Sequence, residues 1–187
     1  MTILAEGVTY EFTKNNELLE QYFAIRKQCF LVELGVNDYP WSREEDDLDE
    51  HMLVAIKNGI CIGGIRWLPS NVEQRRLLQI EKSGFRVAEA LPELQLQNYN
   101  YCEFGRLAVT KSERQDGKVV RDLFRLLVDR VRERSMDFFI MEIDKNRDAR
   151  FRSIFSSFGV EICKQNVHIP SLTYAKPYEL ALYVTKL

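Results

Sequence analysis

The sequence predicts a mixed α/β domain, and three observations carry that prediction. Two strand-like runs, Met52 to Ile56 and Ile60 to Leu68, flank Lys57-Asn58-Gly59, and an Asn-Gly pair between such runs is a strong hairpin signal. Val119, Val120, Leu123, Leu126, Leu127 and Val131 recur at helical spacing and mark a long amphipathic helix reaching about Arg134. That helix lies between Tyr101 to Val109 and Asp137 to Ile143, two runs that read as buried strands. The full order is βα, ββ, β, α, β, α, β, β. The 187 residues suit a single domain, 1–187, large enough to bury a core.

The remaining elements follow from local signals. Val8 to Phe12 alternates and reads as a first strand. Asn15 or Asn16 caps a helix from about Glu17 to Leu31, whose apolar positions include Leu18, Leu19, Tyr22, Phe23, Cys29 and Phe30. Gly35 to Pro40 breaks it, and the acidic run Glu44 to Glu50 follows. Pro69 is expected to end the hairpin's second strand. Val72 to Tyr99 reads as irregular, with a short helix around Leu77 to Arg86. Asn146 to Phe158 reads as a helix stopped by Gly159. Val160 to Cys163 and Leu180 to Val184 supply the last two strands.

Composition removes several function classes. Apolar residues are 45% and charged residues 29%, which suits a globular chain rather than a disordered or fibrous one. The net charge of −2 gives no global attraction to nucleic acid, so nucleic acid is not an expected partner. Cys29, Cys61, Cys102 and Cys163 are far apart in apolar stretches and read as reduced, buried thiols. No metal is expected: His51 and His168 are isolated, and no cysteine pair has zinc-ligand spacing. No apolar run reaches the length of a membrane span. Met1 to Tyr10 carries Glu6 and no basic residue, unlike a signal peptide, so the expected location is cytoplasmic. Trp41 and Trp67 read as packing residues, or as walls of a pocket.

Chemistry concentrates around the central strand–loop–helix unit. A helix start leaves backbone N–H groups without intrahelical partners, and its dipole favours an anion. Gly117 lets backbone approach a phosphate, and Arg114 and Lys118 add positive charge. The stretch Arg114-Gln115-Asp116-Gly117-Lys118-Val119 reads as a pyrophosphate cradle or as a plain loop.

The element order and this loop resemble the GNAT N-acetyltransferase superfamily, whose acyl-CoA loop reads Gln/Arg-x-x-Gly-x-Gly/Ala. Arg114 and Gly117 match, and Val119 stands where Gly or Ala is usual. A second series narrows the resemblance. Arg26-x-x-x-Phe30, Asp46-Asp47-Leu48-Asp49, Arg66-Trp67-Leu68-Pro69 and Glu103-Phe104-Gly105-Arg106 occur in that order. It looks like the branch of acyl-homoserine-lactone (autoinducer) synthases, N-acyl amino acid synthases and ornithine-lipid acyltransferases. The resemblance implies a GNAT fold: a mixed sheet of six to seven strands, splayed at the fourth and fifth, with about four flanking helices. It implies an N-acyltransferase moving an acyl group from acyl-CoA or acyl carrier protein to the amine of an amino-acid-like small molecule. The donor's phosphopantetheine then serves as co-substrate, with no tightly bound cofactor. The alternative is a non-catalytic GNAT-like module that binds an acyl ligand or a protein partner.

The resemblance also implies roles. Glu103 and Arg106 are the catalytic candidates, Glu103 as a general base or as an ion-pair partner of Arg106 or Arg66. Three residues apart, they point to opposite faces of a regular strand unless a bulge intervenes, and GNAT folds carry one there. Arg26, Phe30, Asp46, Asp49 and Arg66 are substrate-binding candidates. The arginines either hold an acceptor carboxylate or form a network with Asp46 and Asp49. Leu107, Val109, Arg114, Gly117, Lys118 and Val119 are the donor-binding candidates. Arg114, Lys118, Arg121 and Arg125 form a basic patch suited to an acidic carrier protein. The family's general-acid tyrosine is replaced by Phe155, so the proton for the leaving thiolate falls to Ser153, Ser156, Tyr174 or water.

Overall fold

The computed structural model describes residues 5–35, 43–44, 51–144, 148–164 and 180–187. The elements are β1 (Val8–Phe12), α1 (Asn16–Lys27), β2 (Met52–Lys57), β3 (Ile60–Ser70), α2 (Val87–Ala90), β4 (Tyr101–Val109), α3 (Lys118–Glu133), β5 (Phe138–Asp144), α4 (Asp148–Ser156), β6 (Glu161–Lys164) and β7 (Leu180–Lys186). The strand order is β1-β2-β3-β4-β5-β7-β6. Only β4 and β5 pair in parallel among the registers described, so the sheet is mixed. The chain packs as two compact units, residues 1–67 with 106–127 and residues 68–105 with 128–187.

In the first unit, the Asn58-Gly59 turn joins β2 and β3 as the sequence predicts, with both residues at positive φ. Asn15 caps α1 by accepting from the Glu17 amide at 2.9 Å. The helix buries Leu18, Leu19, Tyr22 and Phe23 along one stripe, and Arg26 extends that stripe. The predicted α-helix to Leu31 is corrected: after Lys27 the backbone widens into a π-helix, Gln28–Glu33. Such widenings recur at functional sites.

Two adjacent glycines let this unit close. A Cβ on Gly63 would lie 2.8 Å from the Ala108 carbonyl oxygen. One on Gly64 would lie 2.8 Å from the Leu53 carbonyl oxygen and 3.0 Å from the Tyr22 ring. Only glycine permits both approaches. β3 also continues through Pro69 to Ser70, where the sequence predicts a stop. Its register with β2 ends at Arg66, so the N–H that proline lacks is not needed for that ladder.

In the second unit, the core is one face of β5 and β7 covered by the irregular stretch after β3. Leu78, Ile80, Val87, Leu91 and Leu96 pack with Ile140, Leu182 and Val184. The expected helix from Leu77 to Arg86 is instead a single 3-10 turn, Ile80–Ser83, ended by left-handed Gly84. The buried Glu81 carboxylate accepts from the Leu78 and Val87 amides at 3.0 and 3.2 Å, replacing helical bonds with side-chain bonds. Arg75 reaches the carbonyls of Leu96, Gln97 and Tyr99 at 3.1, 2.7 and 2.8 Å and stacks over Tyr101. Side chains therefore satisfy backbone that forms no regular element.

β4 runs through both units. Its parallel register with β5 extends from Tyr101↔Phe138 to Phe104↔Met141. β5 continues to Asp144 along β7 and β4 continues to Val109, so the two strands part after Phe104. Among the described residues no helix is long and apolar enough to cross a membrane.

Gly64→Ala places a methyl against backbone and a packed ring. It is expected to cost about 2 kcal/mol, the scale of overpacking a core, read as a lower urea midpoint at unchanged slope.

Candidate functional site

The first unit's polar centre begins with a backbone irregularity. Arg106 sits within β4 at φ 59, a left-handed conformation that costs a non-glycine residue on the order of 1–2 kcal/mol. This breaks strand alternation at Arg106, where the sequence demands a bulge to re-aim the side chain. Tyr22 holds the distorted backbone, its buried hydroxyl donating to the Arg106 carbonyl. Sequence reasoning treats Tyr22 only as an apolar position of α1. Nothing in the periodicity distinguishes its hydroxyl from the neighbouring ring of Phe23.

Arg26 from α1, Arg66 from β3 and Arg106 from β4 converge on one carboxylate, that of Glu44. Arg106 grips it side-on, Nε to Oε2 at 2.7 Å and Nη2 to Oε1 at 2.8 Å. Arg26 Nη2 lies 3.0 Å and Arg66 Nη1 3.4 Å from Oε2. The arginine side chains are 0, 1 and 8% exposed, and that of Glu44 is 14% exposed. Three predicted arginines are thus brought together, with a partner the sequence hides inside an acidic run. The predicted partners Asp46 and Asp49 lie outside the described residues. One signal was available: Arg26 continues the buried stripe of α1, where a charge requires a partner. Phe30, on the π-helix, packs half-buried at the edge of the first unit's core.

The start of α3 carries the second cluster. Gly117 is left-handed at φ 71, consistent with a tight turn into the helix. Asp116 caps the helix, accepting from the Lys118 amide at 2.9 Å. That bond, followed by the charges of Lys118 and Arg121, holds the Asp116 carboxyl below its ordinary value of 3.8. Arg114 is paired with Glu33 of the π-helix at 2.7 Å. Lys118 and Arg121 are exposed, whereas Val119 is buried and spends its side chain on the core. Leu107 is half-buried and Val109 buried, with the Val109 carbonyl accepting from the Cys29 thiol at 3.5 Å. Farther along α3, Asp122 accepts from Tyr10 and from the Ala5 amide at 3.0 and 2.8 Å. Burial, then that bond, pushes the Tyr10 phenol well up.

Glu103 belongs to the second unit. It is 5% exposed, and its carboxylate accepts from the Gln79 amide. A Cβ on Gly105 would come within 3.3 Å of Glu103 Oε1, so the glycine leaves room for that carboxylate. Phe155 is buried against Phe139 at 5.2 Å, which stacks on Phe104 at 4.5 Å. Ser153 and Ser156 are exposed on α4, and Tyr174 lies outside the described residues. His51 is buried edge-on to Trp67 at 5.7 Å, a packing role. Trp41 lies outside the described residues. Cys29, Cys61 and Cys102 are buried thiols, and burial raises Cys61 to about 11.

Tyr22→Phe leaves the Arg106 carbonyl without this donor and is expected to cost about 1–3 kcal/mol by denaturant titration. Asp116→Ala tests the cap. The folded carboxyl titrates below the unfolded one, so its contribution is present above about pH 4 and is lost as pH falls through the folded value. The midpoint gap between wild type and variant is therefore expected to be open at pH 6–7 and to narrow as pH falls below about 4 in thermal melts.

No protein-family model and no curated protein matches this chain. Solved structures do. A mosquito arylalkylamine N-acetyltransferase-like protein aligns over 96% of this chain and 99% of its own, at 15% identity and a TM-score of 0.66. The ribosomal-protein-alanine N-acetyltransferase of Brucella melitensis aligns over 96% and 98%, at 18% identity and a TM-score of 0.61. A GNAT-family acetyltransferase of Streptococcus agalactiae aligns over 100% and 98%, at 12% identity and a TM-score of 0.58. The mixed sheet, the parting of β4 from β5 and the helix that follows β4 are those of the GNAT N-acetyltransferase fold.

Proposed function

We propose that this chain is an N-acyltransferase moving an acyl group from acyl-CoA or an acyl carrier protein to the amine of an amino-acid-like small molecule. The observation that carries the reading is the break in β4: left-handed Arg106, immediately past the point where register with β5 ends. A strand broken in this way turns backbone N–H groups away from the ladder, and such groups can polarise a thioester carbonyl. Agmatine, arylalkylamine, polyamine and ribosomal-protein N-acetyltransferases share this fold and act on amines, as their names state.

In this reading Glu103 accepts the proton that the acceptor amine must lose. The amine nitrogen bonds to the acyl carbon, the C–S bond breaks, and the thiolate takes a proton from water, to which Glu103 returns the one it accepted; Phe155 has no hydroxyl to give. The arginine cluster receives the acceptor's carboxylate. Lys118 and Arg121, exposed at the start of α3, meet the phosphates of the donor or the acidic face of a carrier protein. A homoserine-lactone-type or N-acyl amino acid product fits the series from Arg26 to Arg106.

A second reading, a non-catalytic module binding an acyl ligand, is favoured by two observations. Asp116 already caps the helix that would cradle pyrophosphate, and Val119 is packed into the core.

Thiol release from acyl-CoA and acyl-carrier protein over a panel of amino acids separates the two. Amino-acid-dependent release is expected, and release at background with every donor would favour the binding module. Glu103→Gln is expected to lower kcat by 100-fold or more at pH 7, within the range of general-base catalysis. Undiminished turnover would remove Glu103 from that role.

A further inference from the structure

We infer that Glu44 is a built-in occupant of a carboxylate-binding site, held where the acceptor's own carboxylate docks. The inference deepens the proposed function by naming what competes for that subsite. Three features of the cluster carry it.

The cations are fixed and the anion is the outer member. Arg26, Arg66 and Arg106 stand on α1, β3 and β4, with side chains 0, 1 and 8% exposed. Glu44 lies outside any helix or strand, with its side chain 14% exposed. The more deeply buried members form the wall and the more accessible one fills it.

The geometry is that of ligand recognition. Arg106 presents two parallel N–H bonds at 2.7 and 2.8 Å, the arrangement that reads a planar carboxylate. Glu44 Oε2 receives contacts from all three guanidinium groups, a degree of convergence that one surface ion pair does not require.

The energetics favour exchange over vacancy. Loss of Glu44 takes one negative charge away from three buried guanidinium groups, and another carboxylate restores that charge. A free amino acid brings the same chemical group on a smaller body. Its carboxylate occupies the position of the Glu44 carboxylate as Glu44 swings out toward water.

Glu44→Gln keeps the shape and removes the charge. Its thermal midpoint is followed during titration with sodium acetate and, at matched ionic strength, sodium chloride. Acetate is expected to raise the variant's midpoint saturably by several degrees beyond chloride, with an apparent Kd at least tenfold below that of wild type. Equal responses to both salts, or equal acetate responses in variant and wild type, overturn the assignment. Glu44→Asp retains the charge but shortens the reach, and remains readable if the neutral variant fails to fold. Acetate-specific stabilisation is expected there also, and its absence overturns the assignment. These measurements need no turnover. Acetate binding without acyl transfer to any amine would keep the carboxylate site and remove the transferase reading, and acyl transfer without acetate binding would do the reverse.

Discussion

The left-handed turn at Arg106 is the constraint on which the first unit's polar centre depends. The conformation is unfavourable for an arginine and needs support from its surroundings. The Tyr22 hydroxyl holds the carbonyl, and the bare face of Gly64 makes room for the Tyr22 ring. The Arg106 side chain grips Glu44 through both oxygens. A glycine, a tyrosine and a glutamate from separate parts of the chain thus fix one backbone angle. The same turn lies on β4, two residues past the last register pair of β4 with β5.

Charge is handled differently in the two units. In the first, three buried cations are gathered around a carboxylate that retains some access to water. In the second, buried carboxylates are satisfied by backbone amides: Glu81 by Leu78 and Val87, Glu103 by Gln79. The sequence reading leaves Glu103 as a general base or as an ion-pair partner of Arg106 or Arg66. Arg66 and Arg106 both reach Glu44.

The long elements were legible because each carries its own periodic signal. The β2–β3 hairpin was marked by Asn58-Gly59, α3 by its apolar stripe, and α1 by Asn15 and apolar positions at helical spacing. What escaped was set by partners distant in the chain. The π-helix after Lys27 and the passage of β3 through Pro69 leave no mark in local propensity. The stretch between β3 and β4 was read as irregular, with its helix placed around Leu77 to Arg86, where the Glu81 carboxylate instead bonds the backbone of a 3-10 turn and the helix forms later, at Val87–Ala90.

The candidate site divides along the same line. Arg26, Arg66 and Arg106 were visible in the sequence as a set, because residue type and order survive when a chain is written out. Their meeting point was not, since Glu44 is one acid among several in a charged run and only convergence in space singles it out. Tyr22 was indistinguishable from a core aromatic until its hydroxyl met a displaced carbonyl. The sequence by itself determined the class of fold, the apolar faces and the inventory of charged groups, all of which depend on local pattern and composition. Tertiary structure alone decided which anion the arginines hold and where β4 breaks, because both are set by contacts between segments 18–84 residues apart.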